Sequence, residues 1–568
     1  MKKTDQSPDK QVPMRPAEQV MKLARMGSFH HSRLSFMRVL LRRLRRENWR
    51  FDRPLWRIDD KGVGVATYRA IGPARTYTLV AFSHDLPDEL RSDRVIAEAW
   101  DATFTLFDGE PTEDDLERLS SNVPLQEAGR VSESELSLSR ANRSVRLFNH
   151  VVEALSRGEQ PDQSMIDGVG YLMRTTAVYG SGKFGAADRS KWADREEFAG
   201  SFQPELLSVW LIRSFSIDIV EHLARVAGAK KAAKFAPELK RRLGIGNSTG
   251  LGMAPFLINH PTLVDAWIGA RETALQRVRS IAVATPARWE MFLDRLYRAR
   301  LNAETWQVDH PHQMSKILIL RKDFDALINR VEQGLDLDDH PFDQLYCWSE
   351  AQLSLEGQEQ LVSLVLEPYG DLVDDLSATM SSSEADQFSI DGRQTVAQAI
   401  DLMEENYEWA LRSNFVDSAA IARVWYVSEE KLEPRLGERF EEPIEPYEQP
   451  LAPGRDIKSA YEALKKAEQD QLLAAFLLRH PEHRGAVRRA QMAANHRYAE
   501  ICDNTIAADM MPIDLLRCKL SFFGATRFDP RSDRWVRITM YQHAPFPNEI
   551  NEIDPDDVVY PPIAQGVQ

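Results

Sequence analysis

Thr76-Tyr77-Thr78-Leu79-Val80-Ala81-Phe82 is the stretch that decides the fold class. Thr76, Thr78, Val80 and Phe82 form one face and Tyr77, Leu79 and Ala81 the other, which is the two-residue period of a strand. Upstream, Val63, Val65 and Thr67 alternate with small or polar neighbours, and Gly72-Pro73 supplies the intervening turn. Downstream, a third run over 95–107 ends at Asp108-Gly109. Strands joined by short turns predict an antiparallel sheet over 51–110. No helix separates these strands, so they are not a βαβ dinucleotide fold. The period of two returns near the other end, where Trp535, Arg537, Thr539 and Tyr541 alternate with Val536, Ile538 and Met540. A preceding run, 520–528, reaches it through Asp529-Pro530-Arg531-Ser532-Asp533. This predicts a β-hairpin that extends the N-terminal sheet.

Between the two ends, helical spacing dominates, with Pro and Gly mostly between segments. Helices are expected over 133–156, 164–178, 204–227, 231–243, 261–284, 287–303 and 313–332. The second half adds 342–366, 396–411, 457–479 and 483–504. The fold class is therefore α+β, predominantly helical, with a large multi-helix core, an antiparallel sheet from the N-terminal third and a C-terminal β-hairpin. The expected divisions are a flexible tail (1–16), a basic amphipathic helical arm (17–50), the β segment (51–110) and a helical core with two Gly-rich loops (111–380). A second helical region with a Pro/Glu-rich linker at 433–455 (381–515), the hairpin (516–545) and an acidic extended tail (546–568) complete it.

The 568 residues are 43% hydrophobic and 28% charged, with a mean hydropathy of -0.41. That excludes a disordered, collagen-like or polytopic membrane chain. The net charge is -15. It is unevenly spread, because residues 1–57 hold 15 Lys/Arg against 5 Asp/Glu, which leaves the remainder at -25. An acidic body disfavours nucleic acid. The basic arm carries a stripe of Leu34, Met37, Leu40, Leu41 and Leu44 ringed by arginines, which fits docking on the chain's own body, a subunit contact in a homodimer, or a membrane surface. The most apolar segment, 206–226, contains Arg213, Asp218, Glu221 and His222, so no integral membrane segment is expected. Cys347, Cys502 and Cys518 have no paired spacing, which fits a reducing cytoplasm.

Two glycine clusters stand out as candidate sites. Gly244-Ile245-Gly246-Asn247-Ser248-Thr249-Gly250-Leu251-Gly252 leads through Pro255 to Asn259-His260-Pro261. Read as a loop, its glycines let a ligand approach backbone N–H groups at Gly246 and Gly250, while Asn247, Ser248, Thr249 and Asn259 add side-chain groups. Tyr179-Gly180-Ser181-Gly182-Lys183-Phe184-Gly185 fails as a phosphate loop, since Ala177 and Phe184 replace required residues and the preceding stretch reads as helix. Lys183 with Arg174, Tyr179 and Ser181 still fits carboxylate or phosphate binding. On the expected 133–156 helix, Arg140, Arg143, Arg146 and His150 fall three or four residues apart and form a candidate anion-binding wall. Asp218 and His222, at i and i+4, are a candidate carboxylate–imidazole pair for proton transfer, and His260 is the second candidate base. His30-His31 and His310-Pro311-His312 lack the other ligands a metal needs, so no metal is expected. No motif identifies a cofactor.

The order Gly246, Ser248, Met253, Pro255, Asn259, Pro261 resembles the mobile G-S-S-x-M-P-x-K-x-N-P loop of the fumarase and aspartase-type lyases. Phe256, Leu257 and Ile258 offer no counterpart of that family's lysine, so the likeness is an analogy rather than membership. It implies lyase chemistry on a carboxylate. The leading expectation is a cytoplasmic enzyme, a lyase or hydrolase, on a small carboxylate- or phosphate-bearing substrate. His260, His222, Lys183 and Ser248 would act in catalysis, and Arg174, Arg143 and Arg146 would bind substrate. The alternative is a non-catalytic interaction or scaffold protein that uses the basic helix and the Pro/Glu-rich segment.

Overall fold

A computed structural model describes residues 12–90, 99–125, 131–175, 195–198, 202–250, 261–306, 311–380, 389–412, 414–415, 452–502, 516–530 and 535–560. The N-terminal third begins with helix α1 (Phe36–Arg46) and strands β1 (Arg50–Ile58), β2 (Gly64–Ile71), β3 (Thr76–Ser83) and β4 (Ala102–Asp108). Next come α2 (Glu113–Asn122), β5 (Glu135–Arg143), α3 (Phe148–Ser156), α4 (Gln163–Val169) and β6 (Tyr171–Thr175). The long central helix α5 (Gln203–Gly228) leads to β7 (Gly244–Gly250). A helical layer follows: α6 (Pro261–Arg279), α7 (Pro286–Glu304), α8 (Pro311–Glu332), α9 (Pro341–Gln352) and α10 (Leu355–Leu364). A separate apolar cluster is built on α11 (Val396–Asn406), α12 (Ala452–Leu464), α13 (Leu473–Arg479) and α14 (Arg484–Asn495). The chain closes with α15 (Leu516–Phe523), β8 (Ala525–Pro530) and β9 (Trp535–Met540).

Among the described residues the strands form one sheet in the order β1-β2-β3-β4-β5-β6-β7-β9-β8. The expected period-two runs are there, with Val80 opposite both Thr67 and Thr105. The late strands pair antiparallel with each other, and β9 joins the main sheet along β7. The sheet is mixed rather than wholly antiparallel, because β6 and β7 run parallel. Parallel neighbours need a crossover, which α5 supplies, so β6–α5–β7 is a β–α–β unit.

Several expected boundaries are corrected. The helix expected over 133–156 is strand β5 followed by α3. Small Ser137 and Ser139 allow α5 close to the sheet, and the Ser137 and Ser208 hydroxyls sit 2.8 Å apart. The helix expected over 164–178 stops at Gly170, whose φ of +80° closes α4, and the chain turns directly into β6. The glycine segment 244–250 is a strand. Residues 520–523 belong to helix α15, and Gly524, at φ +93°, separates it from β8. The helix expected over 231–243 is reduced to Pro237–Arg241.

Neither terminal part is an open tail in its described residues. Arg15 is buried between Glu272 on α6 and Glu359 on α10, both 2.7 Å away. The leucine stripe of α1 is buried in the main core, so the basic helix docks on its own chain. Asp556 lies among Arg33, Arg38 and Arg42, and Tyr560 is buried beside His30. Arg213, fully buried on α5, donates to the carbonyls of Leu243 (2.7 Å) and Ala544 (2.8 Å), which ties the segment after β9 to the core. No helix of the described residues is long and apolar enough to cross a membrane.

Candidate functional site at the carboxyl ends of β6 and β7

β6 and β7 run parallel and point to the same edge of the sheet, with β7 continuing to Gly250, three residues past the pairing of Asn247 with the last residue of β6. Thr175 stands opposite Asn247, and Arg174 opposite Gly246. The chain leaves this edge into 176–194 and 251–260, so both glycine-bearing connections depart from adjacent strand ends. Helix α5 returns from the same edge. Its second turn carries Ser208, bonded to Ser137, and Ser137 lies beyond Ala141, the β5 partner of Thr175. Carboxyl ends of parallel strands with a helix N-terminus above them are where open α/β sheets bind ligands. A helix N-terminus favours negative charge, and here the first turn already carries the buried Glu205.

Asn247 has the most unusual environment. It is 0% exposed, and neither Oδ1 nor Nδ2 has a hydrogen-bond partner. A buried amide without partners costs about 1–3 kcal/mol, so it is seldom retained without use. Thr175 is buried beside it across the β6–β7 ladder. Strand alternation directs Arg174, opposite Asn142, from the other face of the sheet. Arg174 is also buried, so a guanidinium and an amide lie on opposite faces of the sheet beside the end of β6.

The glycines of β7 serve close approach rather than a ligand turn. A Cβ at Gly246 would fall 2.8 Å from the Tyr171 ring, and one at Gly244 would fall 2.2 Å from the Met540 carbonyl oxygen. Gly246→Ala is expected to cost about 1–3 kcal/mol, as overpacking does. Chemical denaturation checks this, and a midpoint equal to wild type would contradict it. The backbone of 245–250 runs in the ladder with β9, where Ser248, Thr249 and Gly250 face Arg537, Val536 and Trp535. Gly246 and Gly250 therefore do not present loop amides to an anion.

The structure separates the remaining candidates. Arg140 and Arg143 lie on β5, Arg146 in the turn after it and His150 on α3, so they do not form one helical wall. Arg143 sits 3.6 Å from Asp101 and stacks at 4.5 Å over Phe148. Asp218 does not pair with His222. It accepts from the Tyr68 hydroxyl (2.7 Å) and meets Arg53 at 2.8 Å. His222 instead places Nε2 2.8 Å from the Asp59 carbonyl and Nδ1 3.1 Å from Arg225, as a core histidine with its partners met. His30 likewise has Nε2 2.8 Å from Glu367. Tyr179, Ser181, Lys183, Asn259 and His260 lie outside the described residues, as do His310 and the segment 433–450 of the proposed linker. Among the described residues no group of three or more His, Cys, Asp or Glu is arranged to hold a metal ion.

Two buried ionisable residues near the α5 N-terminus escaped the sequence reading. Glu205 occupies the first turn of α5 and is 4% exposed. Lys519 is 0% exposed on α15, three and four residues before Phe522 and Phe523. Those rings pack on Phe202, the residue that opens α5, at 6.3 and 5.1 Å. Burial of a Lys and a Glu close to one helix start is the signal, and sequence spacing carries no trace of it. No protein-family model, curated protein or solved structure matches the chain.

Proposed function

We propose that this chain is an enzyme acting on a small anionic metabolite, bound at the carboxyl ends of β6 and β7. The buried, unpartnered amide of Asn247 carries the reading, because a ligand would satisfy both its donor and its acceptor. Arg174 supplies a positive charge from the other face of the sheet at the same edge. Lys183 and His260, in the two connections that leave this edge, are the groups assigned to charge neutralisation and proton transfer. A base and an anion anchor are two of the parts that lyase and hydrolase chemistry uses. The scarcity of cysteine supports a cytoplasmic setting.

A thermal-melting panel of small mono- and dicarboxylates tests the proposal. At least one compound should raise the midpoint of the wild-type chain, since a ligand at 100 times its Kd adds about 2.7 kcal/mol to folding. The same compound should give no shift with Arg174→Gln. A panel without any hit, or a hit that shifts both proteins equally, would overturn the assignment.

A further inference from the structure

A groove of about 480 Å³ opens between α1, the stretch around Asp374 and the C-terminal residues 554–556. Arg33 and, on α1, Arg42, Arg43, Arg45 and Arg46 line it. The carboxylates in its wall are fewer and are shared. Asp556 serves Arg33 at 3.0 Å, Arg38 at 2.8 Å and Arg42 at 3.3 Å. Asp374 serves Arg33 at 2.7 Å and Arg42 at 3.5 Å. Arg45 meets Asp554 at 2.9 Å. Behind the wall Glu367 meets Arg38 at 2.6 Å and Arg33 at 3.8 Å, Glu47 lies 3.4 and 3.7 Å from Arg43 and Arg46, and Arg43 also donates to the carbonyls of Glu196 and Glu197 at 2.8 Å.

Cations therefore outnumber anions in a concave wall. Burial, together with the neighbouring Arg33 and Arg38, holds the Arg42 guanidinium below its ordinary range despite Asp556 and Asp374. Basic residues in the last turn of α1 complement the helix dipole. That accounts for individual arginines but not for five lining one groove. The apolar side of α1 is buried, so the helix has no free stripe to insert into a bilayer.

We propose that this groove binds a phosphate group, as free phosphate or as the monoester of a small metabolite. Guanidinium forks match phosphate oxygens in pairs, and several forks at different angles suit a tetrahedral anion. The groove shares no lining residue with β6 or β7, and the proposal does not depend on the site there.

Melting and equilibrium binding of the full chain with inorganic phosphate, against sodium chloride of equal ionic strength, test it. Phosphate should raise the wild-type midpoint beyond the chloride control. In Arg45→Gln/Arg46→Gln the Kd should weaken about ten-fold. Both residues are at the rim, with side chains 34% and 70% exposed, so the variant is expected to fold. Asp554→Asn removes a competing carboxylate and should tighten binding about two- to five-fold. Asn247→Leu should leave the response intact, which separates this site from the strand edge. No phosphate-specific shift in wild type, or equal Kd values in wild type and the double arginine variant, would overturn the proposal. Tighter capture by vesicles of phosphatidylcholine and phosphatidic acid than by free phosphate would overturn its small-ligand form in favour of a lipid headgroup.

Discussion

Replacing Glu359 with alanine should lower the unfolding free energy by about 3–5 kcal/mol, the usual cost of breaking a buried ion pair on one side. Glu359 is fully buried on α10 and faces Arg15 at 2.7 Å, Arg25 at 3.0 Å and Arg271 at 3.7 Å. Without it, Arg25 loses its carboxylate partner, and Arg15 and Arg271 are left with Glu272, which already binds Arg15 through Nε and Nη2 at 2.7 Å. The N-terminal arm depends on this junction, so the variant should also become sensitive to proteolysis before residue 34. Burial works to raise the Glu359 carboxyl, but Arg15 and Arg271 outweigh it and bring the group down to about 2. A depressed folded-state value stabilises above the unfolded value and is lost as pH falls through the folded one. This carboxylate therefore contributes fully above about pH 4.5, and the contribution, about 3 kcal/mol, disappears as pH falls toward about 2. Denaturation midpoints measured between pH 6 and pH 2 check both points. A Glu359→Gln protein with the same acid slope as wild type would contradict them.

The second large effect has the opposite sign. Asn247→Leu should stabilise the ligand-free chain by about 1–3 kcal/mol, because a leucine of similar size removes two unpaired polar atoms from a fully buried position. The urea midpoint should rise with an unchanged slope. Residues kept at a cost to stability are characteristic of binding sites. A fall in midpoint would mean that the amide is satisfied in the folded chain.

Much of the sheet was legible in the sequence where residues alternate cleanly. Thr76 to Phe82 is the clearest case, since both faces carry residues that fill a buried strand. The leucine stripe of α1 was equally clear. β5 and β6 are ambiguous in sequence because Leu136, Leu138 and the arginines of 140–146 also satisfy helical spacing, and because short apolar runs fit either period. Gly170 and Gly524 mark the true ends of α4 and α15, yet a glycine in sequence does not announce its φ. β7 reads as a loop in sequence because glycine is a poor strand former, and the need for glycine comes from the ring of Tyr171 and the carbonyl of Met540. At the candidate site, Asn247 and Arg174 were selected from residue type. Their place at one strand edge follows only from the parallel pairing of β6 with β7. The Asp218–His222 pair failed because i, i+4 spacing permits a contact without requiring it, and Tyr68 and Arg53 claim the carboxylate instead.

The most direct test of the central claim is the thermal shift that a small carboxylate ligand produces in wild type and in Asn247→Leu. The structure predicts that the variant, though more stable when ligand-free, loses the shift shown by wild type. A variant that keeps the full shift would contradict the claim that the buried amide of Asn247 is held for a ligand.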